Sequence, residues 1–181
     1  AYDSVRNLVL CQGTTFTNFY QYDHARRLIC QITLKNGTIS SNRFIYDGMD
    51  VIAKLDEISG ELVYFTRGLG IAPGVGDVLA ETHLDCTGSL KYTLLYVQNH
   101  RGDTIATVTN GVVAARYEYD AWGNPEPLNP EPSVVPFFTF SGKHWDADAG
   151  LYYYGFRWYD PIAKRWTQPD PSGLAEGLDL Y

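Results

Sequence analysis

No apolar stretch in these 181 residues approaches the roughly 18 that a membrane-spanning helix needs. Basic charge is scarce as well. Lys and Arg number 14 against 21 Asp and Glu, for a net charge of -7, and no basic stripe gathers them. Such a surface is a poor ligand for polyphosphate, which disfavours nucleic acid as a partner. Three cysteines, Cys11, Cys30 and Cys86, stand isolated, and an odd, scattered count provides no disulfide framework. His24, His83, His100 and His144 lie in separate segments, so no Cys or His cluster has zinc spacing. Ala, Leu, Lys and Glu never build a long run of helical period, which excludes a helical bundle. No charged-then-apolar leader opens the chain. "AYDSVRNL" reads as the interior of a longer polypeptide.

Aromatic residues fill that space, with 14 Tyr and 4 Trp. Tyr at this level suits strands, because its flat ring packs on a pleated surface while its hydroxyl stays hydrated. An internal repeat organises them. "YDSVRNL" at Tyr2 and "YDHARRL" at Tyr22 start twenty residues apart, "YDGMDVI" follows at Tyr46, and Tyr-Asp recurs at Tyr119 and Tyr159. The segments between read as hairpins. Asn36-Gly37 is a two-residue turn signal, and pairing outward sets Leu34 opposite Ile39 and Ile32 opposite Ser41. That register places Leu28, Cys30, Ile32, Leu34, Ile39 and Ile45 on a dry face. Gln31, Thr33, Lys35, Thr38, Ser40 and Asn42 fall on a wet one. Around Asn110-Gly111 the same logic groups Ala106, Val108, Val113, Ala115, Tyr117 and Tyr119, with Arg116 and Glu118 opposite. Ser59-Gly60, Thr87-Gly88 and Arg101-Gly102 read as further turns. The fold class is therefore all-β, a meander of hairpins.

Two stretches interrupt the pattern. Residues 67–77, "RGLGIAPGVGD", are a glycine-rich loop, and residues 123–136, "GNPEPLNPEPSVVP", are a proline-rich connector that cannot donate to a ladder. The organisation is then a hairpin region over 1–122, the connector over 123–136, and an aromatic segment over 137–181.

Most candidate chemistry reduces to structure. The glycine loop lacks the Lys-Ser/Thr of a phosphate loop and the dinucleotide fingerprint. "HRGD" at 100–103 is a tight turn between strands, not a protruding recognition loop. "KHWDAD" sets His144, Asp146 and Asp148 close together, an incomplete metal set that reads as a solvated turn. No Gly-x-Ser-x-Gly elbow is present. No cofactor is implied. Asp170, in "DPSGL", is a carboxylate in a good turn sequence, and one carboxylate does not make a proton-sharing dyad.

The repeats and the last 45 residues give Asp170 a context. "YDSVRNL" and "YDHARRL" resemble the YD repeats of the Rhs family, and "NHRGDTIATVTNGVVAARYEYDAWGNP" looks like the stretch leading into the Rhs-associated core. Residues 140–143 (FSGK), 150–155 (GLYYYG), 157–161 (RWYDP) and 170–174 (DPSGL) resemble that core's landmarks. The resemblance implies an exported, extracellular or cell-surface protein whose repeats spiral into a hollow β-shell, closed by the aromatic core. Such a shell encloses a C-terminal toxin or other cargo, and its partners are the rest of the same polypeptide, that cargo and secretion or toxin-complex components. In many members the core is also a self-cleaving aspartyl protease. Carried over, Asp170 corresponds to one catalytic Asp, and Arg165 to an Arg that supports it. The second Asp-Pro-x-Gly-Leu box is missing, Asp179 stands where the family often has Asn, and Ala163-Lys164 departs from the usual Gly. The resemblance thus implies half of a self-processing site, with Tyr181 a point of interruption. The rival reading is a teneurin-like or wall-associated adhesion scaffold that cuts nothing. A single layer of hairpins leaves open edges, which further repeats or other chains must cover.

Overall fold

Asn36 and Gly37 sit at φ 50 and 78, and Asn110 and Gly111 at φ 51 and 76, so both two-residue turns form where their sequence demands them. Around them the structure, a computed structural model, describes residues 1–68, 78–126 and 135–170. The larger of two antiparallel sheets has ten strands in chain order. They are β1 Leu10–Gln12, β2 Phe16–Tyr22, β3 Leu28–Lys35, β4 Thr38–Asp47, β5 Asp50–Asp56, β6 Leu62–Arg67, β7 Val78–Leu84, β8 Leu90–Gln98, β9 Thr104–Thr109 and β10 Val112–Arg116. Each pairs with the strand before it, and β1 and β10 are its edges. The second sheet holds β11 His144–Asp146, β12 Leu151–Tyr153, β13 Trp158–Asp160 and β14 Arg165–Trp166. No helix among the described residues is long and apolar enough to cross a membrane.

The Tyr-Asp signal has a physical cause that the sequence does not disclose. Asp3, Asp23, Asp85, Asn99 and Asp120 each accept, at one side-chain oxygen, the backbone N–H groups two and four residues ahead. Each also donates its own N–H to the carbonyl four residues on. The fourth residue of every such turn is left-handed: Arg6, Arg26, Gly88, Gly102 and Gly123 lie at φ 66, 63, 82, 81 and 90. The tyrosines link turn to turn. Tyr22 donates to the Leu8 carbonyl at 2.7 Å, Tyr46 to Leu28 at 2.8 Å and Tyr119 to Thr104 at 3.0 Å. Each of those carbonyls lies five residues beyond an Asp or Asn that closes an earlier turn. In Tyr22-Asp23 and Tyr119-Asp120 one dipeptide does both jobs.

The hairpin registers are as expected, with Leu34 opposite Ile39 and Ile32 opposite Ser41. The faces need two corrections. First, a bulge at Ile29, where Gln21 pairs with Cys30 and Tyr22 with Leu28, reverses the alternation. Leu28 consequently shares a face with Tyr20, Tyr22 and Gln31. A second bulge between Val113 and Ala115 sets Ala115 opposite Thr107 and Arg116 opposite Ala106. Tyr117 then reaches the Thr107 hydroxyl at 3.3 Å, away from the Val108–Val113 face.

The covered face also differs from expectation. Gln31 and Thr33 are buried, whereas Leu34, Ile39 and Ile45 are exposed. The reason is the C-terminal segment, which lies on the Gln31 side. Its core joins Tyr20, Leu28 and Phe44 of the large sheet to Leu151, Tyr153 and Trp158 of the small one. A neighbouring cluster packs Phe138 against Val63, Phe65 and Val78.

The tyrosine ties are testable by deleting single hydroxyls. Tyr46→Phe removes one hydrogen bond and should cost about 1 kcal/mol in urea unfolding of the full chain. Tyr22→Phe removes two, because its hydroxyl also accepts from Trp158 at 2.8 Å, and should cost about twice as much. Tyr64→Phe, at an exposed position, should be silent. Equal effects at all three would contradict the tie.

Candidate functional site

The C-terminal segment enters through Phe137 and Phe138, and the large sheet holds its backbone. Phe137 N–H donates to Glu81 Oε2 at 3.2 Å and Phe138 N–H to the Tyr96 hydroxyl at 3.3 Å. Thr104 Oγ1 donates to the Phe138 carbonyl at 2.9 Å. Glu81 is itself nearly inaccessible and also accepts from Tyr96 at 2.7 Å. His83 stands between two carboxylates, Nδ1 at 3.1 Å from Glu61 and Nε2 at 3.2 Å from Glu81, with its ring stacked on Tyr92.

β11 supplies the deepest polar anchor. Asp146 Oδ2 accepts from Tyr20 Oη at 2.6 Å, Asn18 Nδ2 at 2.8 Å and Gln31 Nε2 at 3.0 Å. Its Oδ1 accepts the backbone N–H groups of Asp148 and Ala149. Burial raises the Asp146 pKa, against the lowering effect of those hydrogen bonds. Burial, with the Asp146 charge second, pushes the Tyr20 hydroxyl far upward, so the proton between them stays on Tyr20. The expectation of a solvated turn at 143–148 is thus corrected: Asp146 and His144 are both buried. What overrides the polarity of Asp146 is the set of donors from β2 and β3, residues more than a hundred positions away. His144 stacks on Phe137 at 4.1 Å between ring centroids. Burial lowers its pKa from 6.5 to about 3, with the nearby Lys54 charge adding to the effect. No group of three or more His, Cys, Asp or Glu among the described residues is placed to hold a metal. Between the two sheets a cavity of about 340 Å³ is lined by Gln31, Thr33, Lys54, Glu81, His83 and His144, among others.

The residues singled out from the sequence lie elsewhere. Asp170 ends the described part of the segment, and its carboxylate meets Arg157 at 2.8 Å. The Arg157 guanidinium lies over the Trp166 ring at 4.1 Å, which fixes the cation beside the acid. Arg165 is exposed on β14, opposite Asp160, and lines a separate recess with Tyr2, Asp160, Trp166 and Thr167. Arg157 stands in the sequence only as the first residue of the RWYDP landmark, a cation among aromatics with no site role assigned to it. Pro171, Ser172, Gly173, Leu174 and Asp179 lie outside the described residues, as do 69–77 of the glycine loop and 127–134 of the connector. The Arg-Gly-Asp step is a turn whose Asp103 is buried and accepts from Ser141 N–H at 2.8 Å.

No family model matches the chain. The toxin subunit YenC2 of Yersinia entomophaga is 60% identical over 42 residues, 23% of this chain and 4% of that protein. The tRNA3(Ser)-specific nuclease WapA of Bacillus spizizenii is 30% identical over 164 residues, 88% of this chain and 6% of that protein. Among solved structures, TcdB2-TccC3 without its hypervariable C-terminal region matches with a TM-score of 0.76 at 19% identity, covering 100% of this chain and 9% of that one. At that identity the likeness establishes the fold. The chain is therefore related in sequence to toxin-complex subunits and shares the antiparallel β-architecture of a toxin-complex protein. It spans a small share of these relatives' length.

The buried imidazole makes stability pH-dependent. The unfolded chain takes up a proton at His144 near pH 6.5 and the folded chain only near about 3, so stability held above 6.5 is lost as pH falls. Between pH 6 and 5 this single group should contribute a slope approaching about 1.4 kcal/mol per pH unit. His144→Phe, which retains a ring to stack on Phe137, should remove that contribution from urea-unfolding free energies. An unchanged slope in the variant would refute it.

Proposed function

We propose that this chain is a wall segment of an Rhs-type β-shell that encloses a C-terminal toxin or other cargo within a longer exported polypeptide. The observation that carries this reading is the unclosed ten-stranded meander with an aromatic segment seated on one face. Among the described residues β1 and β10 are edge strands, which ask for neighbours of their own kind, and the repeating Asp-closed turns supply a template for more. The covered face presents polar groups that meet the segment in specific pairs. Similarity to toxin-complex subunits supports the same role.

Within this reading Asp170 is one carboxylate of a self-processing aspartyl site that frees the cargo inside the shell. Catalysis of peptide hydrolysis by a carboxylate pair needs one member ionised to draw a proton from water and the other protonated. Arg157 pairs with Asp170 at 2.8 Å. The second carboxylate is contributed by sequence outside these residues, and this fragment alone holds half of the device.

The test uses the chain expressed with its native downstream coding sequence. Wild type should run as two bands on a denaturing gel, and Asp170→Asn as one. Two bands persisting in Asp170→Asn would remove Asp170 from the mechanism. One band from wild type would overturn self-processing and favour the adhesion scaffold. Replacing Arg157 by Gln should slow cleavage at least about tenfold, with partial rescue by Lys, which keeps the charge.

A further inference from the structure

Lys54 occupies an unusual position for a lysine. β5 places it opposite Phe44 on the covered face, where it lines the 340 Å³ cavity between the sheets. Its ammonium lies 5.9 Å from the centre of the Phe137 ring. Among the described residues its side chain has neither an ion pair nor a hydrogen bond. Lys35 pairs with Asp148 and Lys91 with Glu61 at 3.0 Å, while Lys143 and Lys164, like Lys54, lie over aromatic rings but do not line this cavity. Burial lowers the proton affinity of Lys54, while the charges of Glu81, Glu61 and Asp56 oppose that effect. The remaining titratable groups around the cavity are His83, Tyr92, His144, Asp146 and Asp148, of which His144 stays neutral at pH 7. A cation balanced chiefly by distant carboxylates gives up its proton more readily than one held in a salt bridge.

We propose that Lys54 is a nucleophilic amine site that takes small carbonyl compounds, aldehydes above all, as imines inside this cavity. The free amine's lone pair forms a C–N bond to the carbonyl carbon, and the carbonyl π pair moves to oxygen, which takes up a proton. The resulting carbinolamine loses water, leaving C=N between Lys54 and the ligand, so that amine plus aldehyde gives imine plus water. Glu81 and His83 line the same cavity and can carry the protons. The ordinary alternative is that Lys54 merely balances the buried charge of Glu81.

The full chain would be treated with benzaldehyde and cyanoborohydride at pH 7 and the reductively trapped lysines mapped by mass spectrometry after chymotryptic digestion. Lys54 should be labelled about tenfold faster than Lys35, Lys91 and Lys164, and that lead should vanish in denaturing urea. Lys54→Arg should lose the fast phase while retaining the wild-type unfolding midpoint. Labelling of Lys54 no faster than the other lysines, or an equal lead in urea, would overturn the proposal and leave charge balance as its role.

Discussion

Trp158 donates its indole N–H to the Tyr22 hydroxyl at 2.8 Å, and Tyr22 donates its own O–H to the Leu8 carbonyl at 2.7 Å. This relay joins the two devices on which the fold depends. Tyr22 belongs to the chain of ties that fixes one Asp-closed turn against the next. Trp158 is the inaccessible centre of the segment that covers the sheet. Tyr153 makes a parallel connection nearby, accepting from Leu28 N–H at 3.0 Å and donating to the Arg26 and Gly155 carbonyls. The turn geometry of the repeats and the seating of the aromatic segment are thus set at the same few atoms.

A single sheet layer cannot bury both faces, so something must decide which one is covered. Apolar area alone does not decide it here. The face left open carries Phe19, Leu34 and Ile39, and the covered face carries Leu28, Phe44, Val63 and Phe65 together with Asn18, Gln31, Thr33, Lys54 and Glu81. Directional pairing adds the selection: Asp146 with Asn18, Tyr20 and Gln31, and Glu81 with the entering Phe137 backbone. Each buried partner left alone would carry a desolvation penalty of about 1–3 kcal/mol, so a misplaced segment forfeits several at once. Such pairs fix the segment in one defined position.

Much of the fold was legible in the sequence because its determinants are local. Asn36-Gly37 and Asn110-Gly111 specify turns by themselves, and a period-two pattern then sets the register on either side. The Tyr-Asp repeats were visible as recurrence, although their purpose was not. Asp85 and Asn99 close the same turn without a preceding Tyr, so the motif alone undercounts it. The bulges at Ile29 and beside Ala114 were hidden, since one inserted residue leaves no trace in composition yet turns every later side chain to the other face. At the site, the resemblance drew attention to Asp170 and Arg165, while Arg157 emerged through a contact across thirteen residues. Asp146 was misjudged because an aspartate near a turn is usually hydrated. Its donors come from strands far away in sequence, which no local pattern records.

The central claim is that the repeat sheet and the aromatic segment form one cooperative unit through these polar anchors. Native-state hydrogen exchange on the full chain tests it directly. The amides of β2 and β3 and those of β12 and β13 should open with the same free energy and the same denaturant dependence, and should weaken together when Trp158 is replaced by Phe. Exchange of β12 and β13 at a separate, lower free energy, with β2 and β3 unaffected by that substitution, would contradict the account.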